Sequence, residues 1–321
     1  MKKLIAAYTC IILMMSCNSK KESPEVITVN DSNDKTSLFP GPNPDVKTVG
    51  ILLYDGFSNL DAIGPYSVFK SFMGTDVFFV GLHDGLVEDV TGMKVQVDTT
   101  ITDVKQLDVL IIPGGFRETY ELTEDETLLN WIRDIDSTSK YTASVCTGAW
   151  ILGATGLLEG KEATTHWYGK KILEENYGAK IKDTRYVNSG KYWTSAGITA
   201  GMDMSLAMLR EIAGDNYTKM VMLDLEYDPK PPIKGGSENN TDKNIVEALR
   251  SMYDSGMESV LNPEKAVSNI KVDNTKDPVC GMSITTHISD TLHYNNKVYG
   301  FCASACKNMF KKKPTAYLNS K

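Results

Sequence analysis

The chain has 321 residues, 41% of them hydrophobic and 23% charged, a balance that supports a packed core and excludes collagen-like or wholly disordered classes. Its length is that of about two domains. With 41 acidic against 34 basic residues the net charge is −7, so no basic field is offered to a phosphate backbone and nucleic acid is not expected as a partner.

The first residues, "MKKLIAAYTCIILMMSC", place Lys2 and Lys3 before an apolar run, Leu4 to Met15, too short to span a bilayer. Residues 1–16 read as an export signal. Its end resembles a bacterial lipoprotein lipobox, which implies cleavage before Cys17 and its lipidation, although Met14 stands where leucine is usual. A plain secretory peptide cleaved elsewhere is the alternative. An exported protein is expected either way, and two acyl chains on Cys17 would anchor it to a bacterial membrane on the periplasmic or surface side. Residues 17–46 then read as a polar, disordered tether.

From Val46 onward, short apolar runs alternate with helical patterns. "TVGILLY" reads as a buried strand, "LDAIGPYSVFKSF" as a helix, "DVFFVG" as a strand, and "LDVLIIPGG" as a strand ending in a glycine turn. "LLNWIRDIDS" supplies a helix, "YTASVC" a central strand, and "GAWILGATGLL" a helix that stops at Gly156. "THWYGKKILEENYG" reads as a helix capped by Thr164 or Thr165 and ended by Gly178. "RYVNSGKYWTSAG" reads as a hairpin around Asn188, Ser189 and Gly190, and "ITAGMDMSLAMLREIAG" as a late helix. This rhythm predicts an α/β fold, a parallel sheet covered on both faces by helices.

After Tyr227 the composition shifts to "DPKPPIKGGSENNTDKN", a boundary followed by a helical connector around "IVEALRSMYDSGMESVL". The domain boundaries expected are 47–232 for the large domain, 233–272 for the linker and 273–321 for a module too small to fold on a hydrophobic core alone.

The chain has six cysteines; Cys10 leaves with the signal and Cys17 is the lipidation candidate, which leaves Cys146, Cys280, Cys302 and Cys306. Cys146 falls at the carboxyl end of the central strand, where ligands bind in open parallel sheets. The helix that follows would favour its thiolate, and Gly148 would let that helix approach the strand closely. A small buried cysteine is the bland alternative, but a sharp strand-to-helix turn exposes a nucleophile on a rigid backbone.

"GILLYDGFSNLDAIGPYSVF", "DVLIIPGG", "SVCTGAWILGATGLLEGKEATTHW", "ITAGMDMSLAML" and "LEYDPKPP" together resemble the ThiJ/PfpI superfamily, over about Thr48 to Pro232. The resemblance implies a flavodoxin-like, class I glutamine-amidotransferase-like fold. The loop aspartate, "SVCTG", "ATTHW" and "EYDPKPP" resemble the isonitrile hydratases and the ligand-binding domains of some transcription regulators. It further implies Cys146 as nucleophile, Asp61 as its acid, and Thr147 and His166 as residues that bind substrate or orient water. The N–H groups of Gly114, Gly115 and Thr147 would form an anion-stabilising nest. Protease-type relatives carry histidine directly after the nucleophile, where this chain has Thr147, so a peptidase loses its base.

"DPVCGMSITTHISDTLHYNNKVYGFCASACKNMFKKKPTAYL" has 21 residues between Cys280 and Cys302 and three between Cys302 and Cys306. Two thiols four residues apart on a helix can face one ion, with a third arriving from a loop. The segment resembles a YHS domain, a treble-clef-like metal-binding α+β module, with Gly300 in place of the usual aromatic before "FC". Cys280, Cys302 and Cys306 are the implied ligands, with Met282, His287 or His293 as candidates for the fourth. Thiolates favour zinc or copper(I). A Cys302–Cys306 disulfide remains the alternative.

The function implied is hydration of a small electrophile, an isonitrile to an N-substituted formamide, with no cofactor in the large domain. A non-catalytic lipoprotein that binds or senses a small molecule and a heavy-metal ion, and a glyoxalase-like or deglycase-like thiol enzyme, are the other two readings. The resemblance also implies a homodimer as a possible state.

Overall fold

A computed structural model describes residues 45–261, 271–285 and 288–318. The expected export signal, Cys17, the expected tether as far as residue 44, and His287 lie outside the described residues. Among those described, no helix is long and apolar enough to cross a membrane.

Seven strands form the central sheet: β1 (Thr48–Leu53), β2 (Asp76–Gly81), β3 (Thr99–Thr100), β4 (Val109–Ile112), β5 (Tyr141–Val145), β6 (Tyr186–Ser189) and β7 (Tyr192–Ser195). Their order is β6-β7-β5-β4-β1-β2-β3, parallel throughout except for the β6–β7 hairpin at one edge. The central strands have few outward-facing polar positions because both faces are covered. All four residues of β4, "VLII", are buried, and five of the six in β1. The mostly parallel α/β fold is as the alternating pattern predicted, and the hairpin turns at Gly190.

Eight of the helices frame the account that follows: α1 (Asn59–Lys70), α2 (Arg117–Glu121), α3 (Glu126–Thr138), α4 (Gly148–Ala154), α5 (Lys170–Tyr177), α6 (Ala200–Asp224), α7 (Lys243–Leu261) and α8 (Ser304–Lys312). Helix α3 is capped by Asp125, whose carboxylate accepts from the Thr127 and Leu128 amides. Helix α6 runs past the expected end at Gly214, which takes φ +82° and bends the chain into a second helical stretch.

Two expectations need correction. Neither Thr164 nor Thr165 caps a helix, since α5 begins only at Lys170. Thr164 Oγ1 donates instead to the Thr184 carbonyl, and Thr165 Oγ1 to the Cys146 carbonyl at 2.6 Å, which ties this loop to the central strand. Helix α7 is also more than a connector. Met257 is fully buried in the core of the large domain, Val260 and Leu261 pack against that core, and Met252 packs on the C-terminal module.

That module is built from the antiparallel hairpin β8 (Asp290–Tyr294) and β9 (Lys297–Phe301), with α8 against it. Its small core joins Ile284, Tyr299, Phe301 and Phe310 to Cys302 and Cys306. A side chain at Gly300 would collide with Ile284 Cδ1 at 2.8 Å and Val272 Cγ1 at 3.1 Å. The neighbours already fill the place where an aromatic residue is usual. Arg117 Nη2 donates to the Ser283 carbonyl and Ser289 Oγ to the Ser255 carbonyl, so the module touches both α2 and α7.

Candidate functional site

Strand β5 ends at Val145 and α4 begins at Gly148, so the chain must reverse within two residues. It does so by placing Cys146 at φ +57°, a left-handed conformation that costs a non-glycine residue of order 1 kcal/mol or more. The strain is held by three hydrogen bonds: Cys146 N–H to the Ser195 carbonyl, and Thr165 Oγ1 and the Ala149 amide to the Cys146 carbonyl. Gly148 is required beside it, because a Cβ there would lie 2.2 Å from the Ile112 carbonyl oxygen. The expected close approach of helix and strand is present.

Asp61, in the first turn of α1, is fully buried. Its Oδ2 accepts the Gly114 amide at 3.2 Å, while Oδ1 has no hydrogen-bonded partner among the described residues. Burial is the largest cause of its rise from 3.8 to about 7, partly opposed by the Cys146 thiol and the Gly114 amide. The carboxyl is therefore about half protonated at neutral pH, and Oδ1 is the oxygen left open for a proton.

The sulfur departs from expectation. Cys146 is only 5% exposed, and its thiol is held well above the ordinary range, first by burial and then by the negative charge of Asp61. The Thr147 and Ile198 amides lower it, but less than burial raises it. A short helix terminus does not outweigh desolvation here, so the resting group is a thiol beside an acid rather than a free thiolate.

The Gly114–Gly115 loop also differs from the anion nest expected of it. Gly114 N–H is committed to Asp61, and Gly115 N–H donates to Thr147 Oγ1 at 3.0 Å. Thr147 Oγ1 in turn donates to the Gly115 carbonyl at 2.9 Å. The Thr147 hydroxyl thus clamps the loop and has no proton left for a substrate. Tyr54 braces the same loop from below, its hydroxyl donating to the Pro113 carbonyl at 2.8 Å. The backbone donors facing the sulfur are the Thr147 and Ile198 amides.

His166 lies on the neighbouring loop, with its ring against Gly197. Burial, and then Lys170, lower it to about 4, so it is a neutral imidazole at physiological pH. Its ring meets Tyr253 of α7 edge-on at 5.8 Å. Ile198, Phe116 and Tyr253 were not legible as site residues. Ile198 sits at φ +44°, where a β-branched residue gives no warning, and Tyr253 reaches the site from 107 positions away in sequence.

In the C-terminal module, Cys280, Cys302 and Cys306 are free cysteines and come together with Asp277, the four ligand atoms all lying within 4.8 Å of one another. The Sγ separations are 3.3 Å for Cys280–Cys302 and 3.9 Å for Cys302–Cys306. Zinc–thiolate bonds of about 2.3 Å in a tetrahedron set sulfurs roughly 3.8 Å apart, so the trio fits a single soft ion. Cys280, the exposed member, has its thiolate favoured by the other two thiols, whereas Cys302 is held protonated. Among the described residues, Asp277 is the fourth member of the cluster. His293 is an exposed residue of the hairpin, and Met282 places its amide near the Cys280 sulfur. Both Asp277 oxygens already accept backbone amides, Oδ1 from Val279 and Oδ2 from Cys302, so it orders the loop that carries the thiols.

The chain matches two family models, the DJ-1/PfpI family over residues 47–211 and the YHS domain over residues 275–321. It is 39% identical to the isonitrile hydratase of Pseudomonas putida over 202 residues, which is 63% of this chain and 88% of that protein. It is 30% identical to a deglycase of Pyrococcus horikoshii over 148 residues, 46% of this chain and 87% of that one. The crystal structure of a ThiJ/PfpI family protein from Pseudomonas syringae superposes with a TM-score of 0.62 at 31% identity, covering 68% of this chain and 93% of that chain.

Proposed function

The chain belongs to the DJ-1/PfpI family, and on that premise we propose that it is a cysteine-dependent hydratase acting on a small isonitrile. The reading rests on one observation above others: the unpartnered Asp61 Oδ1, buried beside the thiol at a strained turn. A thiol paired with a proton-bearing carboxyl suits addition across a carbon that must gain a proton as it gains sulfur.

Cys146 Sγ bonds to the terminal isonitrile carbon while Asp61 Oδ1 gives that carbon its proton. The proton leaving the thiol returns to Asp61, and the product is a thioimidate. Water then adds to the thioimidate carbon, the carbon–sulfur bond breaks, and sulfur recovers a proton. The sum is isonitrile plus water to N-substituted formamide. His166, being neutral, is assigned to orienting that water. Thr147 is assigned to holding the Gly114–Gly115 loop, and through Gly114 the orientation of Asp61.

The test is to incubate purified protein with an alkyl isonitrile and follow formamide by NMR. Turnover is expected, with loss in Cys146→Ser and trapping of a covalent adduct by intact mass. No formamide from protein whose Cys146 is titratable would falsify the reading.

The near-complete burial of the sulfur favours a second reading, a binder or sensor of a small molecule. Similarity to a deglycase keeps dicarbonyl chemistry as a third. Replacing Asp61 by Asn separates them, because turnover collapses in an enzyme while a ligand-induced thermal shift survives in a binder.

For the module, Cys280, Cys302 and Cys306 are assigned as ligands of zinc or copper(I), with Asp277 ordering their loop. The ion, when bound, supplies the cross-link that so small a core lacks. Lipid attachment at Cys17 is part of the same reading, and radiolabelled palmitate incorporation that disappears in Cys17→Ser is its check.

A further inference from the structure

Helix α7 lies outside both segments matched by the family models, yet one of its faces rests on the loops that frame Cys146. Tyr253 is at its centre. The Tyr253 ring lies 5.6 Å from Phe116, 5.8 Å from His166, 5.7 Å from Trp167 and 5.0 Å from Tyr168, so four aromatic rings converge on one side chain. Phe116 follows the Gly114–Gly115 loop, and His166 follows Thr165, whose hydroxyl holds the Cys146 carbonyl. Burial, and then the Cys146 sulfur, push the Tyr253 phenol upward.

The helix is pressed onto this site rather than laid loosely across it. One turn on, a Cβ at Gly256 would meet Phe116 Cε1 at 2.7 Å, and Met257 is fully buried. Tyr168 donates to Asp254 at 3.0 Å, and the Arg250 guanidinium lies 4.9 Å from the centre of the Trp167 ring. Behind the helix the C-terminal module holds it, through Met252 and the Ser289 bond to the Ser255 carbonyl.

We propose that Tyr253 is a specificity-determining residue: it roofs the thiol and restricts the electrophile at Cys146 to slender, unbranched substituents. The assignment rests on Cys146 being the reacting thiol. The roof is built from rings that interlock, so a bulky substituent must displace Tyr253, and with it a helix gripped from both sides. Its hydroxyl forms no hydrogen bond among the described residues, so the ring, not the oxygen, does the excluding.

The test uses the full chain and two thiol reagents of different girth, iodoacetamide and N-phenylmaleimide, with the extent of modification read at the Cys146 peptide by mass spectrometry. In the wild type the small reagent is expected to modify Cys146 at least tenfold faster than the bulky one, relative to their rates on glutathione. Tyr253→Ala is expected to close most of that gap, and Tyr253→Phe to keep it. In turnover, Tyr253→Ala raises kcat/KM for tert-butyl isonitrile relative to methyl isonitrile. Equal relative rates in the wild type, or a ratio that Tyr253→Ala leaves unmoved, overturn the assignment. The wild-type comparison stands even where the alanine variant fails to fold. Labelling needs no turnover, so a protein inert to isonitriles that still shows the size ratio loses the hydratase reading and keeps the roof.

Discussion

The amide of Gly114 donates to Asp61 Oδ2 and leaves Oδ1 bare, so one backbone bond decides which oxygen of the carboxyl faces the chemistry. Burial raises Asp61 to about 7, and only the protonated form can supply the carbon with a proton. The kcat/KM of isonitrile hydration is therefore expected to be flat at lower pH and to fall as pH rises through about 7. Asp61→Asn should lower kcat by about 10²–10⁴-fold and remove that limb from the residual activity. A pH–rate profile of both proteins is the measurement; a profile that rises through pH 7 would mean that the thiolate, not the acid, limits the reaction.

The same group predicts a dependence of stability on pH. Its folded value lies above the unfolded one, so its stabilising contribution is complete below about 4 and is lost as pH rises through about 7. From 3.8 to about 7, at roughly 1.4 kcal/mol per pH unit, the ceiling is about 4 kcal/mol. The Asp61→Asn variant has no charge to bury at this position. Its Tm relative to wild type is expected to gain several degrees between pH 4.5 and pH 8.5. Differential scanning calorimetry across that range checks it, and a difference that does not change with pH contradicts a buried titrating carboxyl.

The fold was legible where patterns repeat: "VLII", bounded by a glycine turn, reads as a strand covered on both faces, and "SVCTG" before "AWILGA" as a strand meeting a helix. What escaped depends on partners distant in the chain. Gly114 and Gly115 announce a turn, but nothing local says that Asp61 and Thr147 take their amides. Thr164 and Thr165 look like caps because that is the commonest local use of threonine; here their hydroxyls bind carbonyls 20 and 19 residues away. The thiol's ionisation is not legible in the sequence for a related reason. A helix N-terminus is visible in sequence, whereas the depth to which a side chain is buried is set by every element packed over it.

For the C-terminal cluster, one ion per chain is expected, with Cys302→Ser or Cys306→Ser abolishing binding, since both sulfurs are buried among the module's core residues. Asp277→Asn keeps an acceptor for one amide and is expected to retain stoichiometry while weakening affinity by about 10–100-fold. Zinc release on treating the protein with a thiol-modifying mercurial, read with a chromogenic chelator, gives the stoichiometry, and competition against a chelator of known affinity gives the binding constant. Full stoichiometry in Cys302→Ser would remove that sulfur from the site.

Thr147 offers the sharpest division between a structural and a substrate-binding role for a residue beside the nucleophile. Its hydroxyl gives its proton to the Gly115 carbonyl and accepts from the Gly115 amide, so Thr147→Val leaves two backbone groups without partners at once. Each such loss costs about 1–3 kcal/mol where water cannot replace it. Because Gly114 orients Asp61, loosening the loop also blurs the position of the acid. Thr147→Val is therefore expected to lower Tm by several degrees and kcat by about tenfold or more, with KM little changed, and Thr147→Ser to restore both. Calorimetry with steady-state kinetics on the three proteins decides the matter. A Thr147→Val protein with wild-type Tm but raised KM would mean that the hydroxyl turns from Gly115 to the substrate, and the clamp would have to be given up.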